Sequence, residues 1–329
     1  MIAGVLYAIA TCALWALSFV SPVILERFSP YAVTLGRYAA FGAISLAIVP
    51  LAMRHVRTLR GADWAKAAWL AIVGHMAYYL FLATAIQLSD VPGPTVVIGL
   101  LPLTVPVFAN LHKQELPWRT LLAPLLGIAA GLVLVHAYEY QRFQADDGIF
   151  RYAAGIGFAF AALACWTWYG IVNAAWLRAR PHVTATAWTM AQGITLFPLV
   201  LVAALVIAAA QVDPAAANAA LDEWRQFWIV SLVVGLGSTW LATLCWSQAS
   251  RLLPTALAGQ LIVVVTIAAV IYGSIYRGTL PSAAVTAGVL LLVAAVAFGV
   301  RAIQRHLTAQ AASSRGTGAE STAARSAPP

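Results

Sequence analysis

The chain has 329 residues, of which 62% are hydrophobic and 9% charged. A soluble domain carries about 25% charged residues, so one soluble core cannot hide this much apolar surface; a soluble enzyme, a nucleic-acid binder and a disordered scaffold are excluded in favour of a polytopic helical membrane protein. The net charge of +8 does not restore nucleic acid as a partner, because the basic residues fall between long apolar runs rather than along one polar face.

In chain order, the apolar run from Ile2 to Leu25 has no basic residue before it and exceeds the about 7–15 residues of a leader's apolar region. It reads as a first membrane helix that stays in the protein. At about 20 apolar residues per crossing, ten spans follow at 3–25, 30–53, 66–88, 92–111, 119–138, 152–177, 182–210, 226–249, 254–276 and 280–300. The fold class expected is therefore all-α and polytopic. Arg301, Arg305 and His306 stop the last span, and the Ala-, Ser-, Gly- and Pro-rich stretch 301–329 reads as a disordered cytoplasmic tail. With the N-terminus inside, thirteen basic residues lie on the cytoplasmic side, among them Arg54, Arg57 and Arg60, and five outside, with Arg37 within a span. That asymmetry predicts both termini in the cytoplasm.

The chain repeats itself. Trp15, Pro30 and Gly42 match Trp166, Pro181 and Gly193, each 151 residues on. Gly74, Gln87 and Ser89 match Gly235, Gln248 and Ser250 at 161, and Glu115 and Pro117 match Thr279 and Pro281 at 164. The expected organisation is a first five-helix repeat over 1–138, an outer loop over 139–151 and a second repeat over 152–300. Five is odd, so the two repeats insert with opposite orientation, a transporter design in which the substrate site lies where the halves meet.

Three stretches carry a family resemblance: L-W-A-L-S-F-V in span 1, S-P-Y-A-V-T-L-G-R-Y in span 2, and L-L-P-L-T-V-P-V-F-A-N-L-H-K-Q-E-L-P across spans 4 and 5. They resemble the EamA-type permeases of the drug/metabolite transporter superfamily. The resemblance implies an inner-membrane carrier with a central cavity lined by spans 1, 3, 4, 6, 8 and 9. The second repeat departs from it, with Thr266 answering Pro102 and Thr279 answering Glu115.

Candidate residues are weighed against packing roles. Glu115 and Thr279 precede prolines at helix starts and read as caps. Pro102 and Pro106 bend span 4, as a hinge or as a static kink. Gly127 and Gly131 form a GxxxG suited to close helix packing. Arg37 lies about 10 Å deep, seven residues into its span at about 1.5 Å per residue. It either snorkels or pairs with Glu26 or Asp90, or it recognises a substrate carboxylate. His75, beside Tyr78 and Tyr79, is either hydrogen-bonded in the bundle or a proton carrier, since an ordinary histidine titrates near about 6.5. Trp15, Trp166, Trp168, Tyr169, Trp240 and Trp246 lie deep and suit a cavity for an amphipathic ligand, with Ser18, Asn173, Thr239 and Gln260 as polar neighbours.

Cys12, Cys165 and Cys245 show no CxxC or Cys/His spacing, and no HExxH is present, so no metal site or cofactor is expected. No acid lies deep in a span, which disfavours antiport of cationic drugs, and no buried basic cluster suits sugar phosphates. The function expected is a secondary transporter, not an enzyme, exporting small neutral or zwitterionic metabolites of amino-acid type. The expected partners are the lipid bilayer and a small-molecule substrate, with a homodimer left open and no nucleic acid. The competing readings are a membrane-embedded enzyme acting on lipid or isoprenoid substrates and a non-transporting assembly partner.

Overall fold

The computed structural model describes residues 2–101, 103–104, 118–144, 148–180, 182–210, 213–252, 261–299, 301–302 and 305. Among them every regular element is a helix. They are α1 (Ile2–Ile24), α2 (Pro30–Val56), α3 (Gly61–Ser89), α4 (Pro92–Ile98), α5 (Trp118–Gln144), α6 (Ile149–Arg178), α7 (Ala185–Ala209), α8 (221–252), α9 (Val264–Arg277) and α10 (Ala283–Gly299), with one further helical turn at Pro214–Ala217. Seven of these, α1–α3 and α5–α8, are long and apolar enough to cross a membrane. The chain is a polytopic membrane protein. Its outer surface presents large apolar side chains such as Leu51, Leu126, Leu205 and Leu290, as a lipid-facing surface does, while the helices satisfy their own backbone polar groups.

The helix ends follow local chemistry. Ser29 Oγ accepts the Ala32 N–H at 3.2 Å with Pro30 in the first turn of α2, and Thr184 Oγ1 accepts the Ala187 N–H at 3.2 Å at the start of α7. Three expectations need correction. The segment 139–151, read as an outer loop, is helical through Gln144 and again from Ile149; it holds no Gly or Pro before Gly148 to stop α5. Helix α3 begins at Gly61 and α8 at Leu221, each five residues before the predicted span, because Asp63 and Glu223 cap them by accepting the N–H groups of Arg60 and Ala220 at 2.9 and 2.7 Å. Helix α10 begins at Ala283, and Ser282 caps it by accepting the Val285 N–H at 3.2 Å. Thr279 stands exposed ahead of it, so the capping role expected of Thr279 belongs to Ser282. Pro102, Pro106, Glu115, Gln260 and the tail beyond Arg305 lie outside the described residues.

Helix packing is reciprocal. Helix α1 packs on α8 and α9, while α6 packs on α3 and α4; α2 crosses α7. Without a hydrophobic force between helices in lipid, close approach of small residues must hold them. Gly42 and Gly193 meet at the α2–α7 crossing, where a Cβ on Gly42 would stand 2.7 Å from Phe197 and 3.1 Å from the Gly193 carbonyl. Gly127 and Gly131 of α5 press on Ala295 and Gly288 of α10, which is the work of the GxxxG. Helices α3 and α8 each contain a π-helical stretch, Ile72–Ala77 and Val234–Leu241. These enclose the matched glycines Gly74 and Gly235. Such wide turns recur at functional sites.

Ion pairs tie elements together at both faces. Arg27, just after α1, meets Glu223 at 2.7 Å. On the opposite face Arg180, just after α6, holds its Nε 2.9 Å from Asp63 Oδ1, an ion-pair distance off the line of a hydrogen bond. The first pair is exposed; the second has a buried carboxylate, with the Arg180 guanidinium stacked 3.4 Å from the Trp176 ring centroid.

Candidate functional site

A central cavity of about 420 Å3 lies among α1–α4 and α6–α9, within the roughly 300–1,000 Å3 of small-molecule sites. Helices α2 and α7 contribute to its wall beside the spans 1, 3, 4, 6, 8 and 9 that the resemblance implies. The wall is built from corresponding positions. Trp15, Ser18, Phe19, Arg37, Tyr38 and Phe41 line it, and so do Trp166, Tyr169, Gly170, Trp188, Thr189 and Gln192, each 151 residues further on. Ile98, Gly99 and Leu101 are answered at an offset of 164 by Ile262, Val263 and Val265. The chemistry is not symmetric. The counterpart of Arg37 is Trp188, and that of Phe41 is Gln192.

Arg37 is buried, at 7% exposure. Its Nε and Nη2 each lie 3.3 Å from Thr239 Oγ1 in the π-helical stretch of α8. Its Cζ stands 4.1 Å from the Tyr79 ring centroid and 5.4 Å from that of Tyr38, and Nη1 has no hydrogen-bond partner. The pairing expected with Glu26 or Asp90 is not made. Asp90 instead meets Arg277 at the end of α9, with Nε 3.1 Å from Oδ2. The Thr239 anchor and the tyrosine rings hold the guanidinium inside the bundle rather than letting it snorkel.

The remaining polar wall is tightly bonded. His75 Nε2 and Gln192 Oε1 are 2.5 Å apart, and the Tyr169 hydroxyl donates to the same oxygen at 3.2 Å. Trp188 Nε1 donates to Asn173 Oδ1 at 2.7 Å. Ser238 and Thr243 of α8 donate to the carbonyls of Leu14 and Thr239 at 2.5 and 2.6 Å. The π-turn of α3 presents the His75 carbonyl to the Tyr38 hydroxyl at 2.9 Å.

Of the residues singled out from sequence, Trp15, Ser18, Arg37, His75, Tyr78, Trp166, Tyr169, Asn173 and Thr239 meet in this wall. Tyr79 and Trp240 stand outside it. Adjacent helical residues point about 100° apart, so with Tyr78 facing the cavity Tyr79 turns away. Tyr79 then has a structural task. Pro22 has no N–H to give the Ser18 carbonyl, and the Tyr79 hydroxyl donates to that carbonyl at 3.3 Å while bonding Ser21 Oγ at 2.6 Å. Trp240 turns to α2 and donates to Ser45 Oγ at 3.3 Å. Trp246, another of the deep rings, lines the wall as well, while Trp168 does not; sequence reasoning missed Gln192 and Tyr38 as wall residues. The signal for Gln192 was present, since it is an amide in the middle of an apolar span beside the matched Gly193.

Comparison with known proteins decides the family. Residues 2–136 match the EamA-like transporter family. The chain is 37% identical over 309 residues to "Inner membrane protein YtfF" of Escherichia coli (strain K12), covering 92% of this chain and 96% of that one. The chain belongs to the EamA-like transporter family. A solved crystal structure shares the fold with a TM-score of 0.56 at 18% identity, over 90% of this chain and 96% of that chain. For a member of this transporter family, the central cavity with its one buried guanidinium is the candidate solute site.

Proposed function

We propose that this chain is a secondary transporter that carries small carboxylic metabolites of amino-acid size, amino acids among them, across the bacterial cytoplasmic membrane. The observation that carries the reading is Arg37, a buried cation that lines a ligand-sized cavity and whose Nη1, itself buried, has no partner. A charge held inside a bundle is costly and is kept for a task, and a carboxylate supplies the missing partner in charge and geometry.

The mechanism is alternating access. The matched wall positions and the reciprocal packing support two halves that rock about a central site. Opening one face then requires parting Arg27 from Glu223 and Arg277 from Asp90, and opening the other requires parting Arg180 from Asp63. The basic residues near α2 and α3 support an orientation with both termini in the cytoplasm.

Counterflow tests the reading. Proteoliposomes preloaded with unlabelled amino acids or other small carboxylates should accumulate the labelled form of at least one of them. Exchange of no solute across such a panel would sink the proposal.

A further inference from the structure

We propose that the cavity ranks its solutes by charge, favouring an amphipathic monocarboxylate without a free ammonium group over the corresponding amino acid. This rests on the carrier reading above and narrows the substrate class of the same site.

The first argument is the unpartnered donor on Arg37, which lines the cavity. A guanidinium offers five N–H donors, and Thr239 Oγ1 engages only Nε and Nη2. The Tyr79 and Tyr38 side chains favour a cation near them, and the Tyr79 hydroxyl interacts with the guanidinium, but neither brings a negative charge. Acids elsewhere do not neutralise it, since Asp90 is held by Arg277 and Asp63 by Arg180. A planar carboxylate is the small group that meets both the charge and the fork geometry of the guanidinium.

The second argument is the reception an ammonium would find. The described wall of the cavity contains no Asp or Glu. The side-chain carbonyl oxygens there are engaged, Asn173 Oδ1 by Trp188 and Gln192 Oε1 by His75 and Tyr169. In an α-amino acid the nitrogen is two bonds from the carboxyl carbon, so binding the carboxylate at Arg37 brings the ammonium near the guanidinium. Like charges repel more strongly in a site poor in water than in bulk solvent. Cation–π contact with a tryptophan ring offsets only part of that.

The third argument is the opposite pole. The position matching Arg37 in the other half is Trp188, and Trp15 and Trp166 share the wall with it. The cavity therefore offers one charged end and broad aromatic walls, which suit a carboxylate on an apolar body.

The test uses four probes of one shape: 3-phenylpropionate, phenylalanine, 3-phenylpropanamide and phenethylamine. Binding to the full-length purified protein is followed by tryptophan fluorescence, and the same probes are run in counterflow. The expected result is 3-phenylpropionate binding at least tenfold tighter than phenylalanine or the amide, with phenethylamine weakest. Arg37→Gln should bring the carboxylate-to-amide ratio close to one, and Arg37→Lys should keep part of it. The proposal is overturned if phenylalanine binds the unmodified protein as tightly as 3-phenylpropionate, if none of the four binds, or if Arg37→Gln leaves the ratio unchanged. The unmodified protein alone decides the first two outcomes, so a variant that fails to fold does not shield the proposal. Binding in the expected order without exchange would sink the carrier reading instead, and equal binding with exchange of phenylalanine would sink only the ranking.

Discussion

Replacing Gly131 with alanine asks whether the α5–α10 contact holds the bundle, and Gly157→Ala supplies the control. Both glycines sit inside long helices, where alanine is favoured by about 0.8–1 kcal/mol. At Gly157 an added Cβ meets nothing within 4 Å, so that gain should appear undiminished. At Gly131 the Cβ would stand 2.8 Å from the Gly288 carbonyl oxygen and 3.1 Å from the Leu292 nitrogen. These are backbone atoms that no rotamer change can move, so α10 must retreat by about half an ångström or more. That retreat loosens Gly127 against Ala295 and Gly288 against Val135, and a gap of this size forfeits roughly a quarter of each contact's attraction. Overpacking of this kind costs about 1–3 kcal/mol. The net expectation for Gly131→Ala runs from neutral to about 2 kcal/mol of destabilisation, with Gly157→Ala about 1 kcal/mol more stable than the parent. Unfolding of the purified protein in mixed detergent micelles, followed by tryptophan fluorescence, measures both. A Gly131→Ala protein as stable as Gly157→Ala would refute the view that backbone contact at this crossing limits stability.

The two ion pairs should differ in their effect on the same assay. Asp63→Asn leaves Arg180 without its buried partner and should approach the roughly 3–5 kcal/mol of a broken buried pair, eased by the partial exposure of Arg180, whereas Glu223→Gln should cost about 0–1 kcal/mol because Arg27 is exposed; equal losses would contradict the assignment of one buried and one exposed latch. For orientation, reporters at residues 60 and 329 are expected to read the cytoplasm and one near residue 146 the outer side, and a reporter at residue 60 reading the outer side would reverse the proposed topology.

Much of this protein was legible in the sequence because lipid makes the rules simple. A helix in hydrocarbon must satisfy its own backbone, so apolar length alone announces α1, α2, α3 and α7. The repeat offsets were equally plain, and they anticipated that Trp15 and Trp166 occupy corresponding places. Helix ends were less legible. Whether α3 starts at Gly61 depends on Asp63 folding back on the Arg60 N–H, a polar contact that hydropathy does not weigh. The same applies to Ser282, which caps α10 in place of Thr279.

What the sequence could not determine was direction within each turn and company across helices. It offered Tyr78 and Tyr79 as equals; only packing against the Ser18 carbonyl freed by Pro22 turned Tyr79 away from the cavity. It left Arg37 free to snorkel, to pair with Glu26 or Asp90, or to meet a solute, and tertiary structure removed the pairing by giving Asp90 to Arg277 and Thr239 to Arg37. Gln192 shows the same division. Its place in the chain marks it as an amide in an apolar span, but its bonds to His75 and Tyr169 join residues 117 and 23 positions away. Hydropathy is a sum along one helix and can be read from one strand of text. A binding site is a set of side chains that converge from several helices, and the rotation of each helix about its own axis is set by the neighbours it packs against.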